Sequence, residues 1–125
     1  MKWFQPSEYR CRGPQPCPAP KEFDPVLAER LDEFRERVGR PVVIASGLRC
    51  STWNKEQGGE DDSRHLTGRA VDLRCTDSFT RYLYLSVILT WPSEYAPFVE
   101  VSPHHIHFDL DYRTPGEPML ILGTG

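Results

Sequence analysis

The chain has 125 residues and a formal net charge of −3, the size of one domain with a core of its own and a charge balance that gives no electrostatic reason to bind nucleic acid or an anionic membrane. No apolar run approaches the roughly 20 residues needed to span a bilayer, and the opening MKWFQPSEYR lacks the apolar heart of a secretory leader. These features predict a single domain over residues 1–125, monomeric and made in the cytoplasm, whose partner is small or neutral.

Residues 1–23 carry a large share of the chain's prolines, including GPQPCPAP at Gly13–Pro20. Proline removes a backbone donor and fixes φ, so this stretch is predicted to be neither a regular helix nor a central strand but a surface wrap anchored by Trp3, Phe4 and Tyr9. Asp24 and Pro25 then supply an N-cap and a first helical residue. Leu27, Leu31, Phe34 and Val38 follow at spacings of four, three and four, a single buried stripe, and Gly39 stops the helix. The charged face between them reads as solvated surface.

Pro41–Ser46 is predicted as a short buried strand delivering Ser-Gly-Leu-Arg to its end. Cys50–Arg64 turns polar, with two glycines and the acidic trio Glu60, Asp61 and Asp62, and reads as a long loop. The trio lacks the ligand spacing of a calcium loop. Arg69–Leu73 alternates as a strand after Gly68, where a turn tolerates positive φ. Thr76–Thr90 reads as a second helix, apolar over a wide surface formed by Phe79, Tyr82, Leu83, Leu85, Val87, Ile88 and Leu89, and Pro92 ends it. Strands are expected around Phe98–Val101, over His105–Leu110 and, at an edge, over Met119–Leu122.

All four histidines fall in two segments, SRHLTGRAVDL at Ser63–Leu73 and HHIHFDL at His104–Leu110. In the second, alternation puts His105, His107 and Asp109 on one face and Ile106, Phe108 and Leu110 on the other. Asp72 lies seven positions after His65. Imidazole nitrogens and a carboxylate are the ligands zinc prefers, and a catalytic zinc keeps three protein ligands and one open position. Spacing alone leaves two sets open: His65, Asp72 and His107, or three histidines with Asp72 outside.

The pattern His65, six residues, Asp72, then the His-x-His pair His105 and His107 resembles the zinc peptidases of the D-alanyl-D-alanine carboxypeptidase type, in the group that includes lysostaphin-like peptidases and the hedgehog signalling domain. SGLRC at Ser46–Cys50, Asn54 and Gly58-Gly59 are similar to the segment before the first zinc histidine in bacterial and phage members. The resemblance implies an α+β fold, a small antiparallel sheet carrying the metal site with two main helices packed on one side. It also implies one catalytic Zn²⁺ held by His65, Asp72 and His107, with His105 beside it stabilising the transition state.

Several of these peptidases carry an acid three residues before the second zinc histidine, where this chain has His104. The nearest upstream carboxylate is Glu100, a hedgehog-type placement one residue longer here, and Glu100 is the expected general base. Arg49 is the expected anchor for a substrate carboxylate or carbonyl oxygen, since its planar fork suits both; an ion pair with the acidic loop is its bland alternative. The activity implied is hydrolysis of an amide bond in the D-amino-acid-containing stem peptides of peptidoglycan, by a carboxypeptidase or an endopeptidase. With no leader, such an enzyme fits phage lysis or a virion. Two rivals stand beside it, a non-catalytic zinc-containing binding module of hedgehog type and a domain with a structural metal.

Cys11, Cys17, Cys50 and Cys75 lack the short C-x₂-C or C-x₄-C spacing of structural zinc sites. Free thiols are expected; a disulfide between Cys50 and Cys75 or Cys11 and Cys17, or a zinc knot of all four, remains open.

Overall fold

Asp24 opens the longest helix in the computed structural model, which describes residues 1–123. Its carboxylate accepts from the Val26 amide at 2.8 Å, and α2 (Pro25–Val38) ends at Gly39, whose φ of 74° closes the last turn. Before it lies a single helical turn, α1 (Pro6–Tyr9), which the proline content had argued against; Pro6 is tolerated because it stands at the first position. Phe4 and Tyr9 are buried as expected, whereas Trp3 lies exposed over α2, its indole donating to Glu36 and Arg35 stacked on its ring.

Leu27, Leu31, Phe34 and Val38 all face the core. Phe34 is its centre, meeting Tyr84 edge-on at 5.0 Å and Trp91 at 6.0 Å; burying such a ring contributes about 1.5–3 kcal/mol.

Among the described residues five strands make one sheet: β1 (Ile44–Ser46), β2 (Ala70–Arg74), β3 (Phe98–Val101), β4 (His105–Asp109) and β5 (Met119–Leu122), in the order β1-β2-β4-β3-β5. The first four pair antiparallel, but β5 lies parallel to β3, so the sheet is mixed. The chain leaving β4 crosses over β3 to reach its free edge, and that crossover reverses the direction expected of a hairpin. The first strand is shorter than Pro41–Ser46, beginning at Ile44, although the exposed Val43 still accepts from the Arg74 amide at 2.9 Å.

Two further expectations are corrected. The polar stretch Cys50–Arg64 contains a helix, α3 (Ser51–Glu56), whose N-cap is the Cys50 thiolate or thiol sulfur accepting from the Trp53 amide; the glycines lie beyond its end. A 3₁₀ turn, Arg64–Thr67, follows, capped by the Ser63 hydroxyl and closed by Gly68 at φ 74°. In α4 (Ser78–Ile88) only Tyr84, Val87 and Ile88 are buried, while Phe79 and Tyr82 are exposed, as is Leu89 just beyond its end. The helix rests one stripe against the core with α2 instead of lying broadside on the sheet.

The sheet thereby acquires two unlike faces. Val71, Leu73, Val99, Val101, Ile106 and Phe108 point into the core with the helices. On the other face the register aligns Ser46, Asp72, His107, Glu100 and Ile121 as one row crossing all five strands. Period two and strand pairing alone create that row.

Candidate metal centre

Asp72, His107, Glu100 and Ile121 of that row line a cleft of about 510 Å³, together with His65, His105 and Arg49. His65 reaches it from the 3₁₀ turn before β2. Asp72 and His107 face each other across the β2–β4 pair. One ligand atom each from His65, Asp72 and His107 lies within 4.8 Å of the other two.

Hydrogen bonds fix the imidazole orientations. His65 Nδ1 is 2.7 Å from the Gly47 carbonyl oxygen, an acceptor only, so Nδ1 carries the proton and donates. Nε2, the other nitrogen, then points its lone pair at Asp72 Oδ1, 3.2 Å away. His107 repeats the arrangement: Nε2 is held by the Asp109 carboxylate at 2.7 Å, and Nδ1 faces the same Asp72 Oδ1 at 2.7 Å. As neutral rings, both would aim an acceptor at an acceptor. Either protons or one divalent cation must lie among the three atoms, and the donor set of two imidazoles and a carboxylate fits zinc.

Electrostatics report the same strain. Burial alone would raise the Asp72 carboxyl, but hydrogen bonds from His107 and His65 outweigh it and hold the group well below the ordinary carboxylate range. Burial pulls His107 down, yet Asp109 and Asp72 on either side push it up to about 9. Asp109, fully buried, is lowered against its burial by His107 and by Arg113, which grips it with both terminal nitrogens at 2.9 and 2.7 Å. Arg113 in turn lies 3.9 Å over the Phe98 ring, whose centre is 5.8 Å from that of His107.

Arg49 does not pair with the acidic loop. Its Nη2 is 3.4 Å from Asp72 Oδ2, Nε donates to the Ser46 hydroxyl and Nη1 to the Asn54 side chain. Three of its five N–H groups are thus engaged and two remain for another oxygen. Burial lowers its pKa, and the Asp72 charge opposes that. Asn54, buried, is itself fixed by donating to the Glu60 carbonyl.

Glu100 stands opposite His107 on β3 and lines the cleft, as does His105, one row along the same face. His104 is exposed in the bend before β4 and does not line the cleft, whereas Glu100 does. Asp109 was placed by the sequence on the strand face of His107, where it now holds that ring. Arg113 and Phe98 were not foreseen at the site, and Asn54 stood in the sequence pattern without a role; Arg113 follows the last strand residue by four positions in irregular chain, where no periodicity marks it.

No curated protein matches the chain. A family model described as Peptidase M15 matches residues 4–109, from the first buried aromatic to the carboxylate behind His107. That match spans most of the sequence and all of the converging groups, and the chain belongs to the peptidase M15 family.

Proposed function

We propose that the chain is a zinc-dependent peptidase that hydrolyses an amide bond in D-amino-acid-containing peptides of the bacterial cell wall. The observation that carries the zinc reading is the pair of imidazoles pinned from behind so that both lone pairs converge on one carboxylate oxygen. His65, Asp72 and His107 would hold the ion. Bound there, zinc polarises a carbonyl and lowers the pKa of water to about 7. Peptidoglycan as the substrate is supported by family membership and by the resemblance of SGLR, Gly58-Gly59 and His-x-His to the cell-wall branch.

The protein's own groups divide the remaining work. Glu100, one strand across from His107, accepts the proton of the attacking water and returns it to the leaving amine; a positioned base of this kind contributes about 10²–10⁴-fold. His105 stands on the same face and donates to the oxygen on which charge develops. The two free N–H groups of Arg49 hold a substrate carboxylate or carbonyl oxygen, with Ser46 and Asn54 fixing the guanidinium plane. Asp109 and Arg113 keep His107 oriented from behind.

The test is product analysis by mass spectrometry after the zinc-loaded protein meets a pentapeptide ending in D-Ala-D-Ala and, separately, intact sacculi. Release of D-alanine identifies a carboxypeptidase, and release of crosslinked fragments an endopeptidase. Zinc binding with neither substrate cut would replace this reading by a metal-bearing binding module.

A further inference from the structure

Away from the cleft, three of the four cysteines meet. Cys11 follows α1, Cys17 lies in the proline-rich segment, and Cys50 caps α3; their sulfur atoms all lie within 4.8 Å of one another. Cys75 is buried elsewhere in the core, which rules out a Cys50–Cys75 disulfide and a knot of four, and all four cysteines are free thiols, as expected. The Cys11 and Cys50 sulfurs are 3.9 Å apart. With zinc–sulfur bonds of about 2.3 Å, two ligands at adjacent corners of a tetrahedron are separated by about 3.8 Å.

The surrounding chain is shaped to keep the sulfurs together. The Gln15 side chain donates to the carbonyls of Cys11 and Gly13, folding the turn that brings Cys17 back. Gly13 lies so close to Trp53 on α3 that an added Cβ would stand 2.9 Å from the Trp53 side chain. Leu48 donates to the Tyr9 carbonyl at 2.8 Å, laying the two segments side by side. A cavity of about 290 Å³ opens at Cys11 and Cys17, with Arg10, Lys21 and Glu22 on its wall, one positive charge in excess. Three thiolates around a divalent ion leave one negative charge, which the net positive charge of that wall offsets, and the cavity leaves room for solvent as the fourth ligand.

We propose that Cys11, Cys17 and Cys50 bind a second divalent metal ion, a sulfur-ligated zinc site that fastens the amino-terminal wrap to the turn carrying Arg49. Thiolates select zinc among the common divalent ions of the cell. On binding, each thiol gives its proton to solvent and each sulfur lone pair forms a bond to the metal, with no change of oxidation state. Because Cys50 directly follows Arg49 and caps the helix bearing Asn54, the site braces the substrate-anchoring arginine through its chain neighbour and its hydrogen-bond partner.

The whole chain, purified with a non-chelating reductant, is loaded with zinc for elemental analysis and with cobalt for absorption spectroscopy. The expected result is two metals per chain in the wild type and one in Cys17→Ser and Cys50→Ser. Cobalt should give a near-ultraviolet sulfur-to-metal charge-transfer band that persists in His107→Ala, where the cleft site is lost, and vanishes in Cys17→Ser. One metal per chain with no such band in the wild type overturns the proposal. So does an intact mass two hydrogens light with Cys11 and Cys50 crosslinked. The wild-type and His107→Ala measurements decide the matter even if a cysteine variant fails to fold.

Discussion

At the level of single residues, the chemistry depends on groups that reach the cleft by two different kinds of sequence information. Alternation in β4 and the placing of Asp72 seven positions after His65 narrowed the ligands to two sets, and the resemblance to the zinc peptidases selected His65, Asp72 and His107, the set that converges. The place of Glu100 was not legible, since spacing along the chain says nothing about which residue of a neighbouring strand stands opposite His107; only the β3–β4 register does. Glu100→Gln keeps the shape and removes the base, so turnover should fall about 10²–10⁴-fold while zinc stoichiometry stays unchanged, which a rate assay beside elemental analysis checks. Unaltered turnover would move the proton work to another group, His105 first. Asp109→Asn acts differently: the His107 ring loses the carboxylate that orients it, and zinc affinity should drop about 10–100-fold, read by competition with a chromophoric chelator.

Among the elements, those with distinct chemistry at both ends were the readable ones. Asp24, Pro25 and Gly39 bracket α2 to the residue, because each meets a backbone demand no packing can override. Asp24→Ala should therefore cost about 1–2 kcal/mol in urea unfolding, and it also frees Arg69, whose Nη1 lies 2.7 Å from the Asp24 carboxylate. A cost near zero would show the cap to be idle. Helix α3 escaped notice because its cap is a cysteine and its six residues are too few to show a period. The breadth of α4 was overstated, since hydropathy marks which residues could be buried and only the neighbours decide which are. Gly59 ties an element to the site: a Cβ there would come within 2.2 Å of Asn54 Oδ1, the atom that receives Arg49. Gly59→Ala should displace that amide and lower kcat/KM by up to about 10²-fold, with the circular dichroism spectrum and Tm near those of the parent. Full activity would mean that Asn54 does not position Arg49.

Over the whole molecule, the sheet order and the parallel β5 could not be read from the chain, because they are set by how the long connections cross and not by any local pattern. Yet that topology decides how stability answers to pH, since it presses His107 between Asp72 and Asp109 on neighbouring positions of the open face. Without metal, Asp109 and Asp72 outweigh burial and push His107 up to about 9 from an ordinary 6.5. A group raised on folding stabilises fully below its unfolded value and loses that contribution as pH rises through the folded one. The metal-free chain should thus weaken by a few kcal/mol, in order of magnitude, between pH 6.5 and about 9. Asp72 and Asp109, both lowered, act in the opposite sense and give way only in acid, below the ordinary carboxylate value of 3.8. Zinc must displace the His107 proton in order to bind, so below about pH 9 its apparent affinity should rise about tenfold per pH unit for each proton released. Urea titrations with zinc and with chelator across this window should show the two midpoints drawing apart as pH rises. A constant gap, or a metal-free protein that strengthens from pH 6.5 to about 9, would mean that His107 carries no extra proton in the cleft and that the lone-pair argument for a cation fails at that ring.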